Sequence, residues 1–177
     1  LSPIRQLEQS FALAVRQREL LEDFIKSRFR KGEHYMDGKV FGSSKPVLLQ
    51  PGAQLILYCH GYSADFEHVS GPAEPQSEGR PYTITVKAKV FNPQGRLVGS
   101  SLGSAGSHIW SNRQMRLVLR AVDAEKAMNS TLKIAQKRAL VSATNNATAS
   151  SSFFTVDLEE YTDVDSEHES FIRKKRS

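Results

Sequence analysis

Three lysines recur at helical spacing within residues 125–144. Lys126, Lys133 and Lys137 follow one another, with Ser130 between them, at intervals of four, three and four residues, which places them on one face of a helix. Like charges at this spacing repel each other by roughly a few tenths of a kcal/mol per pair, and no acidic residue lies among them to relieve the repulsion. An anion would neutralise such a face, so the pattern indicates phosphate binding; the alternative is an ordinary solvated face.

A second basic group lies on a predicted strand pair. Residues 82–90 alternate apolar and polar side chains, which is the period-two pattern of a half-buried strand, and the polar positions include Lys87 and Lys89. Residues 92–95 read as a turn, and residues 96–102 as the returning strand. Lysines on such a face serve either solubility and edge protection or phosphate contact, and the sequence leaves both open.

Charge is unevenly distributed along the chain. Residues 1–156 carry 20 basic and 12 acidic side chains, a net charge of +8, whereas residues 157–177 carry 4 basic and 7 acidic ones, a net charge of −3. A basic body with an acidic tail indicates a polyanionic partner, most often nucleic acid. The predicted phosphate-binding residues are Lys87, Lys89, Arg113, Arg116, Lys126, Lys133, Lys137 and Arg138.

The sequence offers no catalytic constellation. Its one cysteine rules out a disulfide framework and fits a reducing compartment, and its five histidines are not spaced as metal ligands. Nucleotide-binding glycine motifs and a nucleophile elbow are missing. We therefore expect a protein that is not an enzyme, with no cofactor, no metal and no membrane span, located in the cytoplasm.

An amphipathic helix is predicted at the N-terminus, beginning at Ser2-Pro3 and ending near Arg30. Ile4, Leu7 and Phe11 begin an apolar stripe that continues at three- and four-residue spacing. The favoured interpretation is a stripe that faces the protein's own core. The alternative is that part of it meets a neighbouring subunit.

The remaining elements follow from local patterns. A second helix is expected from Pro51 to Gly61 with Cys59 as a core thiol, then a strand over residues 62–69 and a surface loop over residues 70–81. Small residues at 103–107 are read as a turn by which the chain leaves the sheet, and Trp110 as a packing anchor, with base stacking as the lesser alternative. Residues 112–123 and 125–144 read as helices, residues 145–152 as a polar linker, and residues 157–177 as a disordered acidic tail.

The order of these elements resembles that of the Rad52 superfamily of single-strand annealing proteins. The similarity lies in an alternating basic strand, a turn, a second strand, a Gly/Ser-rich exit and a helix containing K-R-A-L, here Lys137, Arg138, Ala139 and Leu140. Residues 31–160 are also similar to a group of phage and prophage proteins, through K-P-x-L-x-x-P-G-A, N-T-x-x-K-x-A-x-K-R-A and F-T-x-D-x-E, although Ser130 here separates Asn129 from Thr131. The resemblance implies an α+β fold with a β-β-β-α core, in which an antiparallel sheet packs on a basic helix, behind an N-terminal amphipathic helix.

The function implied by the resemblance is single-stranded DNA binding and annealing without ATP. Residues 1–156 would form the DNA-binding domain of a ring or helical filament, holding single-stranded DNA and the annealed duplex intermediate by their phosphates. The acidic tail would recruit a host or phage partner or compete with DNA for the basic groove. Two other classes remain open: a structural or assembly nucleoprotein that oligomerises without annealing, and a nuclease accessory domain.

Overall fold

The structure, a computed structural model, describes residues 2–76 and 80–155. Over these residues the chain forms three α-helices and antiparallel strand pairs, which confirms the predicted α+β class. The predicted tail, residues 157–177, lies outside the described residues. In chain order the elements are α1 (Pro3–Arg28), β1 (Tyr35–Met36), a 3-10 helix (Gly38–Phe41), β2 (Val47–Leu48), α2 (Gln50–His60), β3 (Ser63–Ser70), β4 (Thr83–Phe91), β5 (Leu97–Gly106), β6 (His108–Ser111), β7 (Arg116–Leu119), α3 (Ala124–Thr148) and a second 3-10 helix (Ser150–Ser152).

The central element is the antiparallel sheet β3-β4-β5, with α3 packed on one of its faces. β4 buries its even-numbered residues against the helix, as its period-two pattern predicts. β4 and β5 are joined by the predicted turn, in which the Asn92 side chain accepts hydrogen bonds from the backbone N–H groups of Gln94 and Arg96. The three strands of this sheet therefore precede α3 in the chain, and the β6–β7 hairpin is inserted between β5 and α3.

Small residues bring α3 unusually close to β5. A Cβ atom added at Gly103 would clash with the backbone nitrogen of Ala139 and the carbonyl oxygen of Ala135. One added at Gly99 would lie 2.8 Å from the Cβ of Ala147. Ala135 and Ala139 of α3 are thus fully buried and lie directly against a glycine of β5.

The C-terminal half of α3 has a second buried side, which packs against α2. Leu57 of α2 shares a cluster with Leu140 of α3 and with Val90 of β4. A neighbouring cluster joins Ile56 and Val141 to other buried residues, among them Phe154. α2 therefore packs along the last turns of α3 and also contributes to the core between α3 and the sheet.

α1 does not bury the stripe predicted for it. From its N-cap to Leu20 the helix is exposed, and its exposed positions include Ile4, Leu7 and Phe11. Only its last turns join the body, with Leu21 buried and Ile25 partly buried. The core-facing interpretation is wrong for the first 18 residues of α1, because all of them are exposed, and the Arg18 guanidinium only lies over the Phe153 ring, 5.7 Å from its centroid.

Two predicted boundaries around β5 are wrong. Residues 103–106 continue β5 as strand and do not leave the sheet, because their small side chains admit α3. Residues 112–123, predicted as helix, contain β7, which pairs with β6. The error arises because a short apolar run such as Leu117–Leu119 fits a strand as well as a helix.

The predicted linker over residues 145–152 is also wrong. α3 continues to Thr148, and Asn145 and Ser150 are both buried, with the Ser150 hydroxyl donating to the Asn145 side-chain oxygen at 2.6 Å. Polar residues can occupy such a site when they bond each other. Cys59, predicted as a core thiol, is exposed, because the buried residues of α2 end at Leu57 and Cys59 lies in its last turn.

The contact between Gly103 and α3 predicts that a Gly→Ala substitution lowers the free energy of unfolding at this position but not at a glycine of β5 that has free space. Gly103→Ala should destabilise the protein by roughly 1–3 kcal/mol, because the helix backbone must move to admit the methyl group. Gly106→Ala, in the same strand, is the matched control, since its Cβ would meet only the His108 carbonyl oxygen at an ordinary 3.5 Å. Urea unfolding followed by circular dichroism measures both, and equal stabilities would contradict the proposed close contact.

Candidate nucleic-acid interface

The lysine face of α3 lies on the side of the helix away from the sheet. Ala135 and Ala139 face Gly103, and Lys133 and Lys137 lie two residues before each of them, about 200° around the helix axis. Lys133 is exposed and Lys137 is partly exposed. Neither lysine forms an ion pair with an acidic side chain in the described part of the chain. Two adjacent positive charges on a rigid helix are therefore open to an anion.

Lys126 lies on the same face but is neutralised locally. Its ammonium group is 3.2 Å from a carboxylate oxygen of Asp123, which caps the start of α3. The backbone N–H of Lys126 donates to the other oxygen at 2.8 Å. This backbone bond, followed by the Lys126 side chain, holds the pKa of Asp123 below its usual range. Lys126 thus belongs to the helix cap as well as to the lysine face.

Arg138 turns away from the lysine face towards the sheet. Its guanidinium donates to the carbonyl oxygen of Ser104 in β5. The Asn146 side chain donates in the same way to the Ser100 carbonyl at 3.1 Å, and the Arg120 side chain to the Gly106 carbonyl at 3.0 Å. These side chains occupy the edge of β5, so Arg138 helps to close that edge.

Lys87 and Lys89 lie on the opposite face of the sheet from α3. Directly opposite them on β3 are Glu67 and Asp65, respectively, and the Lys89 ammonium lies 2.5 Å from a Glu67 oxygen. That hydrogen bond and the Lys89 charge lower the pKa of Glu67, and the same hydrogen bond and the Glu67 charge raise the pKa of Lys89. The outer face of the sheet is therefore close to neutral. Lys87 and Lys89 therefore do not share a surface of the subunit with Lys133 and Lys137, since the two pairs lie on opposite sides of the layer formed by sheet and helix.

Arg113 and Arg116 lie on the β6–β7 hairpin, and both are exposed. The Arg116 Nε donates to the Gln114 side-chain oxygen at 3.0 Å, while neither arginine forms an ion pair with an acidic side chain among the described residues. Trp110 on the same hairpin is 50% exposed, so its interpretation as a packing anchor is wrong.

Sequence reasoning missed this hairpin as a functional element because it assigned residues 112–123 to a helix. A signal was present: residues 79–122 contain seven basic residues and no acidic one. Such a run marks a segment that repels other cations and attracts polyanions.

The surface of the described chain has several clefts. One of about 430 Å³ lies between α1 and the segment around Phe153, and its charged lining residues, Glu22 and Lys26, pair with each other at 2.6 Å. The described residues include no group of three or more His, Cys, Asp and Glu side chains that could hold a metal ion. Among the same residues, no helix combines the length and the apolar character that crossing a membrane requires.

The Glu67–Lys89 pair predicts a measurable dependence on pH. Because the folded-state pKa of Glu67 is lowered, the pair stabilises the fold above the ordinary value of 4.5, and this stabilisation is lost as pH falls through the lowered folded-state pKa. Lys89→Met should raise the Glu67 pKa towards 4.5, measured by a carboxyl-carbon NMR titration. Lys87→Met is the control and should raise it less, since Lys87 acts only through charge. Equal shifts in both variants would contradict the pairing.

Comparison with known proteins adds no family to this description. No model of a protein family matches the chain, and no curated protein matches it significantly. The exposure and charge of its own residues carry the functional proposal.

Proposed function

We propose that this protein binds single-stranded DNA through the phosphate backbone and promotes the annealing of complementary strands without ATP, as a Rad52-like annealing protein. The observation that carries the proposal is the lysine face of α3, where Lys133 and Lys137 have no acidic partner in the described chain. Sequence-independent DNA binding needs cations on rigid elements and no code for reading bases. The lysine face of α3 meets these conditions, because its cations lie on a rigid helix and need contact only phosphates.

The rigidity of α3 supports this assignment. The helix is fixed against the sheet at Gly103 and, over its last turns, by α2. A hydrogen bond of 2.6 Å between Ser142 and Ser101 adds a polar contact to β5. Lysines on such a support keep their spacing when phosphates bind, so little further ordering is required.

Annealing needs no energy source beyond base pairing. Each stacked base-pair step contributes about 1.4 kcal/mol, so a protein that neutralises phosphates and keeps the bases accessible is sufficient. The sequence accordingly has no motif for binding a nucleotide.

The exposed part of α1 supports assembly into a homo-oligomer. The stripe that begins with Ile4, Leu7 and Phe11 is continuous with Leu21 and Ile25, which pack against the body. An apolar patch of this extent is unusual on a monomer and is typical of an interaction surface. A helix that projects without support is also only marginally stable in water, so a second copy of the chain would stabilise it.

A second candidate function is a structural or assembly nucleoprotein that oligomerises but does not anneal DNA. The observation that favours it is the pairing of Lys89 with Glu67, which leaves the outer face of the sheet without net positive charge. In that case α1 would mediate assembly, and the lysine face of α3 would be a solvated surface. Annealing activity separates the two candidates.

The lysine face predicts a loss of annealing on charge reversal. A Lys133→Glu/Lys137→Glu variant should fold but fail to anneal complementary oligonucleotides in a fluorescence assay. Its log-log dependence of DNA affinity on salt should become less steep by about 1.4, at about 0.7 for each phosphate that the variant no longer neutralises.

Lys87→Glu/Lys89→Glu is the matched control, with the same change of charge on the opposite side of the sheet. It should anneal nearly as well as the wild type. Unchanged annealing in the α3 variant, or equal losses in both, would contradict the assignment of DNA binding to the lysine face.

The α1 stripe predicts that assembly depends on one side of the helix. Phe11→Glu should reduce the wild-type oligomer to the 19.7 kDa monomer, measured by light scattering after size-exclusion chromatography. Leu13→Glu is the matched control: Leu13 is 60% exposed and Phe11 63%, but Leu13 lies about 200° away around the helix. A monomeric wild type, or an unchanged mass for Phe11→Glu, would contradict assembly through this stripe.

A further inference from the structure

Trp110 occupies an unusual position for the single tryptophan of the chain. It is 50% exposed on β6, and its cross-strand partner, Leu117 on β7, is 53% exposed. Because paired residues of an antiparallel ladder share a face, the two side chains form an open apolar surface. Met115, next to the turn of the hairpin, is exposed as well. Water contact with so much apolar area is unfavourable and indicates a surface that is covered by a ligand.

The base of the hairpin is fixed to the sheet. Ser107 is fully buried. Its backbone N–H donates to the Tyr82 carbonyl, and its carbonyl accepts from the Arg120 N–H. Its hydroxyl accepts a hydrogen bond from the Tyr82 N–H at 3.0 Å. The Arg120 side chain bonds the Gly106 carbonyl, and the Ser107 hydroxyl lies 2.8 Å from the His108 ring. Beyond this base, β6 and β7 pack extensively only with each other among the described elements. The hairpin is thus an arm with a fixed origin, which holds Trp110 away from the body.

The charge of the arm selects the class of ligand. Residues 107–122 contain three arginines and no acidic residue, so an acidic or polyanionic partner is favoured and a second copy of this basic arm is repelled. Arg113 lies in the turn, and Arg116 lies on the face of the hairpin opposite to Trp110. Four residue pairs of antiparallel strand span about 14 Å, which is the length of about two nucleotides of an extended strand. An aromatic ring on the strand, with Arg113 in the adjoining turn, matches a base and a neighbouring phosphate.

We propose that Trp110 stacks on a base of single-stranded nucleic acid while Arg113, in the turn of the hairpin, holds an adjacent phosphate. This inference rests on the proposed function and adds a base contact to phosphate binding. Stacking uses the flat face of a base and leaves its pairing edge open, so a base held on Trp110 can still meet a complementary strand. Duplex DNA offers no such face, because its bases already stack on each other.

Tryptophan fluorescence tests this contact directly, since the chain has one tryptophan. The full-length protein is titrated with a labelled 20-nucleotide oligo(dT) and with an abasic strand that has the same number of phosphates. Fluorescence anisotropy of the label reports binding, and tryptophan emission reports the stack. We expect both strands to bind, with emission quenched by oligo(dT) and unchanged by the abasic strand.

Two variants distinguish the effect of the aromatic ring on affinity from the effect of an apolar side chain. Trp110→Leu keeps an apolar side chain opposite Leu117 but has no aromatic face, so affinity for oligo(dT) should fall about tenfold, as expected when one base is no longer stacked, while affinity for the abasic strand stays the same. Trp110→Phe keeps a ring and should stay within about threefold of the wild type. Circular dichroism establishes that both variants are folded.

The results that overturn the inference are distinct from those that overturn the proposed function. Binding of both strands with no quenching, or unchanged oligo(dT) affinity in Trp110→Leu, excludes the stack but leaves phosphate binding intact. A tryptophan emission that shifts with protein concentration in the absence of DNA assigns Trp110 to a contact between subunits and overturns the stack. Failure of both strands to bind overturns the proposed function together with the inference.

Discussion

The close contact between α3 and β5 determines where the lysine face of α3 lies. Gly99 and Gly103 admit the backbone of α3 where any side chain would hold it away. At that distance short polar groups reach across, as in the Ser101–Ser142 hydrogen bond and the bond from Asn146 to the Ser100 carbonyl. Since the small face of the helix must lie on the sheet, helical geometry directs the lysine face to the other side. The basic surface is therefore a consequence of the packing.

The same contact gives the two edges of the sheet different chemistry. Along β5, side chains of α3 and of Arg120 bond the carbonyl groups that point away from β4. No comparable row of donors covers β3 in the described part of the chain, and β3 carries Asp65 and Glu67 on its outer face. Unpaired edge strands invite pairing with another chain unless they are covered or charged. In this sheet the β5 edge is covered by side chains, whereas the β3 edge strand carries acidic residues.

The sequence predicted those elements whose pattern is long or strictly periodic. The predictions for β4, its turn and α3 up to residue 144 are correct, because strict alternation, an Asn-Pro-Gln-Gly turn and a long helical pattern are strong local signals. Residues 116–119 were misassigned because four residues cannot distinguish a strand from a helix. Alternation places Lys87 and Lys89 on the face of the sheet opposite the buried residues of β4. Only tertiary packing decides which element covers those buried residues.

In the proposed assembly, binding of a polyanion and association of subunits are coupled through charge. Joining copies through α1 brings several lysine faces into one particle, and their mutual repulsion opposes association. A nucleic acid strand that runs along Lys133 and Lys137 of successive copies removes that repulsion. Linkage requires the effect to be reciprocal: if the strand favours assembly, assembly strengthens strand binding by the same factor. The acidic partner of Lys89 then has a physical role, because it confines the net charge to the side of the subunit where the strand lies.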